Sequence, residues 1–133
     1  MDLSKLFDLS GKTAIVTGGG NGIGKASCEM LAAYGAQVVV SDYKLEDAER
    51  VAKQIRESGG RAIAVDCDVT KDEALVNLVE RSLAEFGQIQ ILVNNVGGGG
   101  AGREDPSKIE VAQFARVFEM NVQGFLIKIG KAQ

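Results

Sequence analysis

Apolar and polar positions fall into alternating blocks along the chain. Thr13 to Thr17 (TAIVT), Gln37 to Ser41 (QVVVS), Arg61 to Asp66 (RAIAVD) and Ile89 to Asn94 (IQILVN) are short runs rich in β-branched residues. Runs of that length and character suit strands buried on both faces. Between them the apolar period lengthens to that of a helix. The first such stretch sets Ile23, Ala26, Met30, Leu31 and Tyr34 on one stripe and stops at Gly35. The second aligns Leu45, Ala48, Val51, Ala52 and Ile55 and stops at Gly59-Gly60. Its outer face offers two acid-before-base pairs, Glu46–Arg50 and Glu49–Lys53, at helical i,i+4 spacing. The third aligns Leu75, Leu78, Val79, Ser82, Leu83 and Phe86, with Thr70 and Glu73 as a capping box and Gly87 as the stop. A fourth, with Phe114, Val117, Phe118, Val122 and Phe125 in line, follows the glycine-rich loop Gly97 to Gly102. Ser107 and Glu110, near Pro106, suggest a capping box for it.

The order is βαβαβαβα. Strands alternating with helices imply an α/β fold, a parallel sheet covered on both faces and joined by right-handed crossovers. We expect a Rossmann-type, doubly wound sheet of four strands in order 3-2-1-4 within a single domain spanning 1–133. The ligand crevice then lies at the strand C-termini, between the first and fourth strands. The notable glycine and polar stretches, Thr17–Gly24, Asp42, Asp66–Val69 and Asn94–Gly102, all fall at those ends.

Thr17 to Gly24 reads TGGGNGIG between a strand and a helix. Glycine lets the backbone turn sharply and lets a ligand approach it closely. The helix that follows presents unpaired N–H groups and a positive dipole end, a seat for a diphosphate. Asp42 closes the second strand, where a carboxylate can accept from two ribose hydroxyls and repel a 2′-phosphate, favouring NAD over NADP. A helix cap or a solvated acid is the plainer reading. In Asp66-Cys67-Asp68-Val69 an acid can accept from an adenine amino group and Val69 can pack on the ring; a loop acid preceding Thr70 is the alternative. In Asn94-Asn95-Val96-Gly97 the asparagines can tie loops by bonding backbone, and Gly97 lets the chain pass close to a ribose. Asn121 falls on or beside the apolar stripe of the fourth helix. It either sits at the stripe's edge or is paired where the helix is locally opened.

Composition narrows the field. The chain has 133 residues, a net charge of −3, no histidine and two cysteines. Acids and bases are interspersed and aromatics are few, which argues against nucleic-acid binding. Cys28 and Cys67 match no metal or redox spacing, and no metal site is expected. Met1 to Gly11 lacks the features of a signal peptide and no apolar run is long enough to span a membrane, so a cytoplasmic location is expected.

Together these motifs resemble the short-chain dehydrogenase/reductase family from Gly11-Lys12 to about Leu126. TGGGNGIG fits the family's T-G-x-x-x-G-I-G, Asp42 its NAD-selecting acid and Asp68-Val69 its adenine-contacting pair. Asn94-Asn95-Val96-Gly97 is similar to its N-N-A-G, and Glu119-Met120-Asn121-Val122 to the segment carrying its helical catalytic asparagine. The resemblance implies hydride transfer between a secondary alcohol or ketone and NAD. It implies cofactor binding by Thr17, Gly18, Asn21, Gly22, Ile23, Gly24, Asp42, Asp68, Val69, Asn95 and Gly97, with Asn121 the one catalytic position. Gly97 to Gly100 also looks like members acting on hydroxysteroids or other cyclic alcohols. The family's serine and Tyr-x-x-x-Lys pair are missing: Tyr34 and Tyr43 are the only tyrosines, and neither has lysine four residues on. The chain looks like a portion truncated after the fourth helix, expected to bind cofactor at best. Its fourth strand becomes an open apolar edge, and self-association, as a homo-oligomer, is expected.

Two other readings compete. Gly19 to Lys25 nearly spells the phosphate loop of P-loop nucleoside triphosphatases, but Ala26 stands where a magnesium-binding hydroxyl belongs and Ser27 is one position late. A non-catalytic NAD(H) module, acting as a sensor or partner subunit, fits the same residues as the enzyme fragment does.

Overall fold

The computed structural model describes residues 2, 5–98, 105–108 and 110–123. Four parallel strands, β1 (Thr13–Thr17), β2 (Gln37–Asp42), β3 (Arg61–Asp66) and β4 (Ile91–Val93), form one sheet in order β3-β2-β1-β4. Helices α1 (Gly22–Ala33), α2 (Leu45–Glu57) and α3 (Asp72–Phe86) make the crossovers, and α4 (Val111–Phe118) follows β4. In register, Thr17 lies opposite Ser41 and Asp42 opposite Asp66, so the C-terminal ends of three strands finish side by side. This is the doubly wound arrangement expected.

Strand side chains alternate between two cores. Ala14, Val16, Val38 and Val40 face Ala48, Val51, Ala52 and Ile55 of α2 and Cys28 of α1. Ile15, Val39 and Val65 face the other way, onto Leu75 and Leu78 of α3 with Cys67 and Val69. Burying one such valine or leucine contributes about 1.5–3 kcal/mol, and the stacked pairs hold the strand ends in place.

Several expectations fail in detail. The stripe read on α1 is not its buried face: Ile23, Met30 and Tyr34 are 80%, 58% and 47% exposed, while Gly24 and Cys28 are buried. The cause is steric. The helix lies so close to the turn before it that only small residues fit beneath its start; of the expected stripe, Leu31, two turns further on, still packs against the core. Leu45, from the stripe of α2, is also exposed.

Neither capping box forms. Thr70 donates its N–H (3.0 Å) and hydroxyl (2.7 Å) to Asp68 Oδ1, and α3 starts two residues later after Lys71, with no side-chain cap. Ser107 does the same with Asp105 Oδ1, at 3.0 and 2.7 Å. In both places the nearer aspartate outcompetes the glutamate three residues on. On α2, Arg50 pairs with Asp47 and Lys53 with Glu57, and Arg56 reaches back to Glu49, in place of the pairs expected. β4 is also shorter than the run Ile89 to Asn94. It ends at Val93, and just beyond it the backbone N–H groups of Asn95 (3.2 Å) and Val96 (3.4 Å) donate to the Thr17 hydroxyl oxygen in place of a neighbouring strand. Phe114 and Phe118 on α4, and Val122 on the turn that continues it, are all exposed. Phe125 lies outside the described residues, as do Gly99 to Gly102 of the glycine-rich loop.

Candidate functional site

The turn after β1 is built by close approach. Gly18 takes φ +65°, a conformation costly for any residue with a Cβ. Its carbonyl accepts from Asn95 Nδ2 at 3.1 Å. Gly19 donates to the Ser41 carbonyl at 2.9 Å, which ties the turn to β2. A Cβ on Gly24 would stand 2.0 Å from the Gly18 carbonyl oxygen and 2.6 Å from Asn95 Nδ2. Helix α1 can therefore begin directly behind the turn. Asn21 sits at its N-cap with extended backbone and makes no side-chain cap. The N–H groups of the first turn are thus left without a side-chain cap, at the positive end of the helix dipole.

Asp42 reaches this turn. Its Oδ2 accepts the Gly20 N–H at 3.0 Å and its Oδ1 the Lys44 N–H at 3.1 Å. The residue is only 7% exposed. A carboxylate has about four acceptor positions, so both oxygens keep capacity for a ligand. The helix-entry role and the ligand role are thus compatible in one side chain.

A cavity of about 480 Å³ opens at the strand ends, in the size range of small-molecule sites. Of the cofactor residues named from sequence, Gly18, Asp42, Asp68, Val69, Asn95 and Gly97 line it. Thr17, Asn21, Gly22, Ile23 and Gly24 do not. Thr17 is buried and holds the loop after β4 through its hydroxyl. The Asn21 amide is engaged by Asp47 and Arg50 on α2. Ile23 is exposed at the start of α1, and Gly22 and Gly24 shape the turn. Of the two asparagines after β4, Asn95 makes the tie to the turn, whereas Asn94 Oδ1 is buried with no hydrogen-bond partner among the described residues. Tyr43, Cys67, Val96 and Met120 also line the cavity. Tyr43 and Met120 stand next to Asp42 and Asn121 in sequence, the one signal that could have found them. The recess between α1 and α2 is smaller, about 290 Å³, and holds none of these residues.

Asp68 is held below the usual carboxylate range by the Thr70 hydroxyl and then by the Thr70 N–H, so it enters the cavity charged at neutral pH. Cys28 lies on the far side of the turn, where burial pushes its thiol up to about 12 and leaves it unreactive.

Asn121 lies on a π-helical turn, Glu119–Gln123, that continues α4. The helix is locally opened there, the second of the two readings of this residue. Asn121 Nδ2 donates to the Val117 carbonyl at 2.8 Å and to the Gly98 carbonyl at 3.2 Å. A Cβ on Gly97 would stand 2.8 Å from Asn121 Oδ1. Bare backbone at Gly97-Gly98 lets the helix dock on the loop after β4, which brings Met120 to the cavity. Ser27, the residue one place late for a magnesium ligand, donates its hydroxyl to the Ile23 carbonyl at 2.8 Å. Among the described residues, no group of three or more His, Cys, Asp or Glu is placed to hold a metal ion. None of the described helices is long and apolar enough to cross a membrane.

The family model for short chain dehydrogenases matches residues 12–131. The chain belongs to the short-chain dehydrogenase family. It is 43% identical over 117 residues to 7alpha-hydroxysteroid dehydrogenase of Escherichia coli (strain K12), covering 88% of this chain and 45% of that protein. It is 41% identical over 119 residues to a 2,5-dichloro-2,5-cyclohexadiene-1,4-diol dehydrogenase of Sphingobium indicum, covering 90% of this chain and 46% of that one. The crystal structure of hydroxysteroid dehydrogenase from Escherichia coli superposes with a TM-score of 0.91 at 40% identity, over 97% of this chain and 54% of that one. A short-chain type dehydrogenase/reductase from Mycobacterium marinum superposes with a TM-score of 0.93 at 33% identity, over 99% and 53%. This short-chain dehydrogenase sequence therefore spans about half the length of the curated relatives it matches. The family is one of oxidoreductases that generally use NAD(P).

Proposed function

We propose that the chain is the NAD(H)-binding portion of a dehydrogenase that interconverts a cyclic secondary alcohol and its ketone, acting in the cytoplasm. The observation that carries this reading is Asp42: it bonds the glycine turn through Gly20 and lines the same cavity as Gly18, Asp68, Val69 and Asn95. The free N–H groups at the start of α1, around Gly22, Ile23 and Gly24, hold the diphosphate. Thr17 and Asn21 support that turn. Asp42 accepts from the adenosine ribose hydroxyls and disfavours a 2′-phosphate. Asp68 accepts from the adenine amino group while Val69 packs on the ring. Asn95 and Gly97 border the second ribose. NAD, when bound, supplies the hydride acceptor.

A ring-shaped substrate is supported by the relatives. Those named above are dehydrogenases of a hydroxysteroid and a cyclohexadienediol, and a third, at 38% identity, is cis-4-hydroxycyclohexanecarboxylate dehydrogenase. Asn121, positioned by Gly98 and Val117 with its side chain exposed, holds a water of the proton path. The acid/base itself is not supplied by Tyr34 or Tyr43. Losing it costs about 10²–10⁴ in rate, so this chain alone binds cofactor and turns over little. The exposed Phe114, Phe118 and Val122 face of α4 is covered by a second copy.

Fluorescence titration with NADH tests the reading. We expect saturable binding by the 133-residue chain, abolished by Gly18→Val, weakened about tenfold or more by Asp42→Ala, and much tighter than binding of NADPH. Binding unaffected by both substitutions would place the nucleotide elsewhere and sink the assignment.

A further inference from the structure

The tip of the glycine turn is gripped from two sides, by Asp42 of the cavity and by Arg50 outside it. Both backbone groups of Gly20 are taken by side chains: the N–H by Asp42 Oδ2 at 3.0 Å, the carbonyl by Arg50 Nη2 at 3.1 Å. The same arginine nitrogen donates to Asn21 Oδ1 at 3.0 Å. Arg50 Nη1 donates to Asp47 Oδ1 at 2.8 Å, and Asp47 Oδ2 accepts from Asn21 Nδ2 at 3.0 Å. Arg50, Asn21 and Asp47 thus close a ring of charge-assisted hydrogen bonds around the Gly20-Asn21 peptide. The fit is close, since a Cβ on Gly20 would lie 2.7 Å from Asp47 Cβ. Asp47 and Arg50 are one turn apart on α2, whose core face is buried, so the ring is anchored to a rigid element. None of its three members lines the cavity.

We propose that Arg50, braced by Asp47 and Asn21, is a positioning residue that holds the glycine turn in its cofactor-ready shape. The inference rests on the dinucleotide reading above. Magnitudes locate the effect. The Arg50 side chain is 49% exposed, and a surface ion pair of that kind adds little to global stability. A turn left loose, however, must be ordered when the diphosphate arrives, and that cost is paid in affinity. Asp42 has a separate anchor in the Lys44 N–H, so the nucleoside end of the site keeps its shape without Arg50. The device therefore acts on the diphosphate end alone.

The test compares Arg50→Ala, Arg50→Lys and the control Lys53→Ala, which removes the exposed Lys53–Glu57 pair of the same helix. Each full chain is titrated with NADH, ADP and adenosine, and exchange of the Gly20 amide proton, held by Asp42, is followed by NMR. For Arg50→Ala we expect NADH and ADP to weaken about tenfold, adenosine to bind as before and Tm to stay within about 2 °C. We expect exchange at Gly20 to rise about tenfold, Arg50→Lys to recover part of both losses, and Lys53→Ala to match the unsubstituted chain. Equal loss for adenosine and ADP, or unchanged ADP affinity with unchanged exchange, overturns the proposal. If the unsubstituted chain fails to bind NADH, the dinucleotide reading is the part that fails. The exchange result alone then decides the clamp: faster supports it, unchanged overturns it.

Discussion

Replacing Gly24 with alanine isolates the contact that sets α1 behind the glycine turn. In an ordinary helix the change is favourable by about 1 kcal/mol, because alanine is the better helix former. Here the new methyl would stand 2.0 Å from the Gly18 carbonyl oxygen and 2.6 Å from Asn95 Nδ2. That is about 1.5 Å inside an ordinary contact of about 3.5 Å, and the first obstacle is backbone, which cannot swing aside. Overpacking of this kind costs about 1–3 kcal/mol. Displacing Asn95 also breaks its 3.1 Å bond to Gly18, worth about 1 kcal/mol. The sum is a net loss of about 2 kcal/mol, or roughly 6–10 °C in Tm for a domain of this size. Urea denaturation measures it through the midpoint. Gly59→Ala is the companion: it has φ +88° but nothing within 4 Å of its Cβ position, so it should lose only the left-handed penalty of about 1 kcal/mol. A Gly24→Ala chain as stable as the parent would show that α1 does not press on the turn.

Thr17→Val keeps the shape of a fully buried side chain but strips the acceptor shared by the Asn95 and Val96 N–H groups; we expect a loss of about 2 kcal/mol in denaturant titration, and no loss would assign those N–H groups another partner. Asp68 is depressed below its usual 3.8 by Thr70, so its contribution to stability is complete above that value and disappears as pH falls through the lower folded-state pKa; Asp68→Asn should flatten Tm against pH below about 4, and an unaltered acid limb would show that its bonds to Thr70 carry no stability. The exposed aromatic face of α4 should drive self-association in sedimentation velocity, reduced by Phe114→Glu with Phe118→Glu; a parent chain that stays monomeric at high concentration would refute that.

The fold was legible because strand composition and crossover order leave few arrangements open. Four β-branched runs separated by helical spacing dictate a parallel sheet, and the glycine turn fixes which end carries the site. What failed was the assumption that the strongest apolar stripe faces the core. On α2 it does, at Ala48, Val51, Ala52 and Ile55. On α1 the sheet-facing side is Gly24 and Cys28, because steric room, rather than hydrophobicity, decides how close that helix sits. The capping boxes failed for a related reason: pairing S/T with E ignores an aspartate two residues upstream that reaches the same N–H first.

Within the site, legibility followed chemistry that acts in place. Asp42, Asp68 and Asn95 sit at strand ends, where the sheet brings them together whatever their neighbours do. Asn121 was recognisable as an amide out of keeping with its stripe and by the resemblance of Glu119-Met120-Asn121-Val122, but the π turn that accommodates it depends on bare backbone at Gly97 and Gly98, more than twenty residues earlier. Arg50 was hidden by a plausible rival: at i,i+4 from Glu46 it reads as half of a solvent-facing pair. In the folded chain the turn ahead of α1 offers that guanidinium a backbone carbonyl and an amide oxygen within 3.1 Å, and these two fixed acceptors, together with Asp47, hold it where one flexible carboxylate on an exposed face would not. A residue's role here follows from which fixed acceptors the fold brings within reach, and helical spacing alone carries no information about those.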